Sequence, residues 1–393
     1  MIAHLVTDGE RRPLYDSEHE AFRHSFRAFL ESEVVPHLDE WERDGIVPRD
    51  VFRRAGAHGF VGMAVPEEYG GAGVSDFRFN AVIGEEVQRA GATAFGLGLT
   101  LHNDICLPYF LSYCTVEQRE RWLPGIATAE LWTAVAMTEP GTGSDLSAIA
   151  TRAERSDDGW TISGAKTFIT NGINADLVIT AARTDASDPH RGLTLFVVER
   201  EMEGFARGRN LEKIGQHGQD TAELFFDGVF VPDANVLGEI GAGFRYLVSN
   251  LAQERLSIAI QAQAAARAAH AETIAYVRER QAFGKAIGSF QNTQFVLAEL
   301  HAELEVGQAF IDRCVEALDD DRLAPEQAAV AKLWCTEMQG RVVDRCLQLF
   351  GGYGYMAEYP IARRYVDARA TRIYGGTSEI MKEIIGRSLR LEP

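Results

Sequence analysis

The sequence predicts a multi-domain α+β protein in which helices come first, strands second and helices again last. Two observations carry this prediction. The spacing of apolar residues changes twice along the chain, and 393 residues are too many for one ordinary core. From about Ser17 to Glu130 apolar residues recur at helical steps: Ala21, Phe22, Phe26, Phe29 and Leu30, then Val51 and Phe52, then Val82, Ile83 and Val87. A glycine-rich break, Tyr69-Gly70-Gly71-Ala72-Gly73, interrupts them. From about Ala134 to Leu237 the runs are short and strand-like: Trp160-Thr161-Ile162, Leu177 to Thr180, Leu193 to Val198 and Glu223 to Phe226. Gly, Asp, Asn and Pro punctuate these runs, as an antiparallel sheet requires. From about Gly243 to Leu391 long helices rich in Ala, Leu, Glu and Arg return. Blocks of this kind imply separate layers and not alternating βαβ units. The domains expected are 1–133, 134–240 and 241–393.

Composition narrows the function. Hydrophobic residues make up 46% of the chain and charged residues 24%, the balance of a soluble globular protein. The net charge of -18, from 39 basic and 57 acidic residues, argues against a partner that is a nucleic acid or an anionic membrane. Local cations can still hold a phosphate-bearing ligand. The five cysteines (Cys106, Cys114, Cys314, Cys335, Cys346) are odd in number and form no Cys-x-x-Cys pair. They read as reduced core thiols and call for no metal. The start, Met1 to Arg12, carries Asp8 and Glu10 and lacks the apolar core of a secretory signal, and no apolar stretch is long enough to span a bilayer. A cytoplasmic location is expected.

Four segments could bind a ligand, and each has an ordinary structural reading beside it. Met137-Thr138-Glu139-Pro140-Gly141-Thr142-Gly143-Ser144-Asp145 leaves a strand and enters a loop. Its glycines permit close backbone approach, although such loops often hold nothing. Lys166 to Gly172 gives a strand ending in a turn, where Phe168 could stack on a planar ring and Thr170 could bond to its edge. Strand packing is the alternative. In Ile373-Tyr374-Gly375-Gly376-Thr377-Ser378-Glu379-Ile380, Thr377 is a candidate N-cap, and free N–H groups there suit an oxygen ligand. Glu279-Arg280-Gln281-Ala282-Phe283-Gly284-Lys285 is a basic run at a helix end, either solvated or in contact with a pyrophosphate. No Gly-x-Gly-x-x-Gly follows a predicted strand, which argues against a Rossmann enzyme. Gly351-Gly352-Tyr353-Gly354 lies among helices and reads as a tight turn.

One residue breaks its own pattern. Phe244, Leu247, Val248, Leu251 and Ile258 keep the period of a helix facing a core, and Glu254 occupies the next slot of that face. A carboxylate among apolar side chains either has a partner, for which the adjacent Arg255 is the candidate, or works as an acid or base.

The order of the motifs is more specific than any one of them. Thr138 to Asp145, Phe168 to Gly172, Arg280 to Lys285, Gln348 to Tyr355 and Tyr374 to Glu379 together resemble the acyl-CoA dehydrogenase family over essentially the whole chain. Gln253-Glu254-Arg255-Leu256, Gln219 to Phe226 and Tyr374-Gly375-Gly376-Thr377 look closest to its long-chain members. The resemblance implies a β-barrel-like middle domain and a C-terminal four-helix bundle. It also implies FAD as cofactor, an acyl-CoA substrate of medium or long chain, and an electron-transferring flavoprotein as acceptor. The chemistry implied is removal of an α-proton from an acyl thioester with hydride transfer from the β-carbon to flavin N5. Most members carry the base immediately before the Gly-Thr of the C-terminal motif, where this chain has Gly375. In long-chain and isovaleryl-type branches the base comes from a C-terminal helix, and Glu254 matches that position. Gly375 then supplies a backbone N–H to the thioester oxygen.

By the same likeness Met137, Thr138, Ser144, Phe168 and Thr170 contact the flavin from the sheet domain, and Thr377 and Glu379 close over it. Arg280, Phe283, Gln291, Gln348, Gly351 and Gly352 reach its adenosine diphosphate across a subunit interface, which implies a tetramer built as a dimer of dimers. Ser144 and Arg255, with Gly375, are the candidates for touching the acyl-CoA. Rival readings are a branched short-chain substrate, a carrier-protein thioester, an oxidase, and a non-catalytic flavin-bound paralogue. Gly96 and Gly98 either leave room for a deep acyl tunnel or let helices pack.

Overall fold

The computed structural model describes residues 12–188 and 192–391, so the stretch from Met1 to Arg12 read above for a signal lies, except for Arg12, outside the described residues. The N-terminal region is built from α1 (Ser17–Phe29), α2 (Leu38–Asp44), α3 (Arg49–Ala57), α4 (Phe77–Arg89), α5 (Thr93–Thr100), α6 (Leu107–Tyr113) and α7 (Val116–Ala127). Caps set several of these ends. Asp16 accepts from Glu18 and His19 N–H at the start of α1, and Thr115 with Gln118 forms a capping box at α7. Phe26, Phe29, Phe52, Phe60, Phe95 and Trp132 fill the core between α1, α3 and α5. The predicted helical residues Ala21 to Leu30, Val51, Phe52 and Val82 to Val87 lie on or at the ends of α1, α3 and α4.

Gly96 and Gly98 are packing glycines. A Cβ at Gly96 would stand 2.5 Å from Val87 Cγ2, and one at Gly98 would meet Phe52, Asn171 and Gln219 at 3.0–3.2 Å. Neighbouring side chains already fill the space against both glycines. Gly96→Ala is expected to destabilise the fold by roughly 1–3 kcal/mol, the usual cost of overpacking, read as a lower midpoint in denaturant.

The middle region is an eight-stranded sheet: β1 (Thr133–Ala136), β2 (Arg152–Ser156), β3 (Gly159–Thr170), β4 (Leu177–Arg183), β5 (Leu193–Glu199), β6 (Phe205–Asn210), β7 (Thr221–Pro232) and β8 (Val236–Leu237). The order is β6-β7-β3-β2-β4-β5-β8, with β1 on β4. The four strand runs read from sequence fall inside β3, β4, β5 and β7. The expectation of a purely antiparallel sheet needs correction, because β1 runs parallel to β4, and β2 meets β4 parallel at Arg152 and Arg183. β1 enters from α7 and can pair this way without a hairpin. β4 and β5 read as continuous apolar runs because both faces are covered. Leu177, Ile179, Leu195 and Val197 face the core with α6 and α7, and Val178, Phe196 and Val198 face Trp160, Phe226 and Val229.

The C-terminal region holds α8 (Gly243–Ser249), α9 (Leu251–Glu279), α10 (Gln291–Asp319), α11 (Pro325–Phe350), α12 (Pro360–Ala368) and α13 (Ser378–Ser388). α9, α10 and α11 pack side by side through Ala266, Ala269, Leu300, Leu304, Met338 and Val342. Alanines on α9 let its neighbours approach closely, and α4 joins the bundle against Leu256, Ala259 and Ile260. All five cysteines are buried free thiols. Among the described residues no helix is long and apolar enough to cross a membrane.

Candidate active site

The apolar period that predicts one helix from Phe244 to Ile258 is realised as two, α8 and α9, parted by Asn250. The break shifts the phase of the stripe: Tyr246 and Leu247 face the core, whereas Val248 turns to solvent at 46% exposure. Glu254 then lies in the first turn of α9 and is 4% exposed. Its partners differ from the one expected. Tyr109 Oη, from α6, donates to Glu254 Oε1 at 3.1 Å, and Asn250 Nδ2 donates to the same oxygen at 3.2 Å. Arg255 makes no hydrogen bond to it and acts only through its charge. Consecutive helical residues point about 100° apart, so the two side chains leave α9 in different directions. Arg255 Nε is buried without a hydrogen-bond partner. Burial pushes the Glu254 carboxyl up to about 7, against the opposing pull of Tyr109, Asn250 and Arg255.

The far end of the sequence returns to this point. Thr377 caps α13, its Oγ1 accepting from Ile380 N–H at 3.4 Å, as its position predicts. The two residues before it have φ of +64° (Gly375) and +96° (Gly376), which only glycine adopts without strain. A Cβ at Gly375 would stand 2.3 Å from Ile258 Cδ1. Ile258 is one turn beyond Glu254, about 6 Å along the axis, so the Gly375 backbone meets α9 one turn from the buried acid. Lys332, wholly buried on α11, donates to the Gly376 carbonyl and fixes this loop. Burial, then the nearby Arg255, lowers the Lys332 ammonium to about 8.

A second ledge forms on the sheet. Thr167 N–H donates to Thr138 O at 2.9 Å, and Lys166 Nζ reaches Met137 O at 3.1 Å and Glu139 Oε1 at 2.8 Å. These bonds bring the loop after β1 against the end of β3. Pairing of β3 with β7 shifts register between Lys166 and Ile169, and at that bulge Phe168 takes φ +59°. Its ring is 68% exposed, a large aromatic held outward by strained backbone. Met137, Thr138, Phe168 and Thr170 are therefore gathered at one place, with Ser144 exposed on the loop nearby.

The remaining predicted residues lie elsewhere. Arg280 ends α9, 26 positions after Glu254, which is about 39 Å along the helix. Arg280 stacks over Tyr353 at 5.3 Å, Phe283 is 95% exposed at φ +50°, and Gln291, Gln348, Gly351 and Gly352 are exposed in the same C-terminal region. They form a group separate from the one around Glu254. Glu379 is exposed in the first turn of α13. Sequence reasoning missed Tyr109, Asn250 and Lys332. A hydroxyl inside the apolar run Leu107 to Leu111, and an Asn interrupting the stripe, are the signals that could have revealed the first two.

The helical, sheet and helical order of regions is the arrangement that comparison with known proteins matches to an oxidoreductase class, the acyl-CoA dehydrogenases. Family models for the acyl-CoA dehydrogenase N-terminal domain match residues 16–130, for the middle domain 134–229 and for the C-terminal domain 241–390, and the chain belongs to that family. It is 46% identical to the long-chain specific acyl-CoA dehydrogenase of Mus musculus, over 98% of this chain and 90% of that one. It is 33% identical to the isovaleryl-CoA dehydrogenase of Solanum tuberosum, over 96% and 91%. The crystal structure of an acyl-CoA dehydrogenase from Geobacillus kaustophilus superposes with a TM-score of 0.95 at 50% identity, covering 97% of this chain and all of that one.

Proposed function

We propose that this protein is an FAD-dependent acyl-CoA dehydrogenase that desaturates a medium- or long-chain acyl-CoA between its α- and β-carbons, with Glu254 as the base. The observation that carries the reading is the buried Glu254 carboxylate, with Tyr109 and Asn250 both donating to Oε1 and the positive-φ backbone of Gly375 meeting α9 one turn away, against Ile258. Oε2 is the oxygen that receives the α-proton. The Gly375 N–H bonds the thioester oxygen where negative charge grows, an interaction typically worth ~2.7–4 kcal/mol in the barrier. Burial excludes water and brings the base into the range where it is both ionised and basic at neutral pH. A carboxylate with its ordinary pKa would be too weak for so poor a carbon acid.

The residues fit the cofactor. The outward Phe168 ring and Thr170 offer a stacking face and a polar edge, and Gly141 and Gly143 have open space around them, as close approach to a ligand requires. Met137, Thr138, Ser144, Phe168, Thr170, Thr377 and Glu379 would hold the flavin, and FAD when bound supplies the acceptor for the hydride leaving the β-carbon. The position of Arg280 about 39 Å along α9 from Glu254, with Phe283, Gln291, Gln348, Gly351 and Gly352 exposed in the same C-terminal region, supports their serving the cofactor of a second copy, in a tetramer. Arg255 and Ser144 would touch the substrate. A cleft lined by Ser112, Tyr113, Glu239, Arg245, Tyr246 and Ser249 opens one turn of α6 from Tyr109 and offers the thioester carrier a way in. Electron-transferring flavoprotein would drain the electrons, and the cytoplasm would be the location.

Similarity is greater to the long-chain relative than to the isovaleryl one, and the latter keeps a branched short-chain substrate as the second reading. Anaerobic bleaching of the flavin by a panel of long, branched and short acyl-CoAs tests the choice. The long-chain thioesters are expected to react fastest, and preference for isovaleryl-CoA would overturn that part. The acidic limb of kcat/KM is expected near pH 7, with activity lost as pH falls through it, because only ionised Glu254 takes a proton. A limb near pH 4.5 would assign the base to an unperturbed carboxylate.

A further inference from the structure

Two donors converge on a single oxygen of the buried acid, and neither belongs to the motifs that reveal it. Tyr109 comes from α6 and Asn250 from the break before α9, so the pair reaches Glu254 from two different regions of the chain. Each is itself fixed. Asn250 Nδ2 also donates to Ile105 O at 3.2 Å, and the neighbouring Gln253 Nε2 donates to Asp104 O at 2.7 Å. One turn further, Ser257 Oγ bonds the buried Asp104 carboxylate at 2.5 Å. The start of α9 is thereby stitched to the π-helical segment Leu101–Cys106, which feeds directly into α6 and Tyr109. The geometry is that of a clamp on one side of a carboxylate.

We propose that Tyr109 and Asn250 are positioning residues that hold Glu254 by Oε1, present Oε2 to the substrate and set the proton affinity of the base. This rests on the reading of Glu254 as the base. A carboxylate held by one oxygen cannot rotate freely about its last bond, so the oxygen that takes the proton is chosen in advance. Hydrogen bonds to the ionised form also stabilise it against burial. The other groups that face Glu254 do not compete for this role. The Cys106 thiol is pushed up by burial and by the acid and stays protonated, and Arg255 contributes charge without a hydrogen bond. The Tyr109 hydroxyl is itself held far above its ordinary value and remains a donor across the working pH range.

The test is the pH profile of kcat/KM for Tyr109→Phe, measured on purified enzyme that retains FAD. Loss of one charge-assisted bond is expected to move the acidic limb upward by about one to two pH units and to lower the plateau. In the Glu254→Gln background, Tyr109→Phe is expected to have no further effect, since its influence passes through the carboxylate. A Tyr109→Phe limb that superimposes on the wild type, while Glu254→Gln is inactive, overturns the clamp and leaves the base in place. Full activity of Glu254→Gln overturns the reading beneath it. Should Tyr109→Phe fail to fold, Asn250→Ala removes the second donor to the same oxygen, and an unmoved limb in that variant equally overturns the proposal.

Discussion

Glu254→Gln is expected to bind FAD and to fold normally, yet to lose turnover by ~10²–10⁴-fold, the usual contribution of a positioned acid or base. The side chain keeps its shape, and the amide oxygen can still accept from Tyr109 and Asn250. What vanishes is the buried carboxylate able to take a proton at neutral pH. Gly375 has no side chain to substitute for it, and Ile258 occupies the adjacent space. The readout is anaerobic flavin reduction by excess acyl-CoA, followed in a single turnover so that product release does not mask the chemical step. Wild-type rates in this variant would transfer the role to another residue. The substitution also removes a buried ionisable group. Its raised pKa makes wild-type stability fall as pH rises from about 4.5 through 7, and the variant is expected to lack that fall.

Gly375→Ala is expected to reduce kcat strongly while altering stability less. Two costs meet at this position. A left-handed residue other than glycine costs roughly 1–2 kcal/mol, and the new methyl would stand 2.3 Å from Ile258 Cδ1. The loop relieves the overlap by moving away from α9, which carries its N–H out of line with the thioester oxygen. Loss of that bond predicts a fall of ~10²–10³ in kcat. Ile258→Val removes the Cδ1 atom, so the double variant Gly375→Ala/Ile258→Val should recover part of the rate. Failure of the second substitution to restore any activity would show that steric displacement is not the cause.

Helices and strands were legible because their evidence is local. Period, caps and turn residues placed α1, α3, α4 and the strands β3, β4, β5 and β7, and Thr377 announced the start of α13. The parallel pairing of β1 with β4 was not legible, since nothing in Thr133 to Ala136 states which strand it will meet. Glu254 was legible for a different reason: a charge on a greasy face violates its own pattern, and the violation can be read without knowing the partner.

Partners were the part that could not be read. Arg255 is next in sequence and Tyr109 is 145 residues away, and the hydrogen bond goes to Tyr109. Sequence alone determined the order of the three regions, the family likeness, and the position of the buried acid. Only the tertiary structure decided which donors hold it, that Ile258 fills the place beside Gly375, and that Gly96 and Gly98 serve packing. Local chemistry fixes what a segment can form, but hydrogen bonds and steric contacts depend on distances between segments that meet only when the chain has folded.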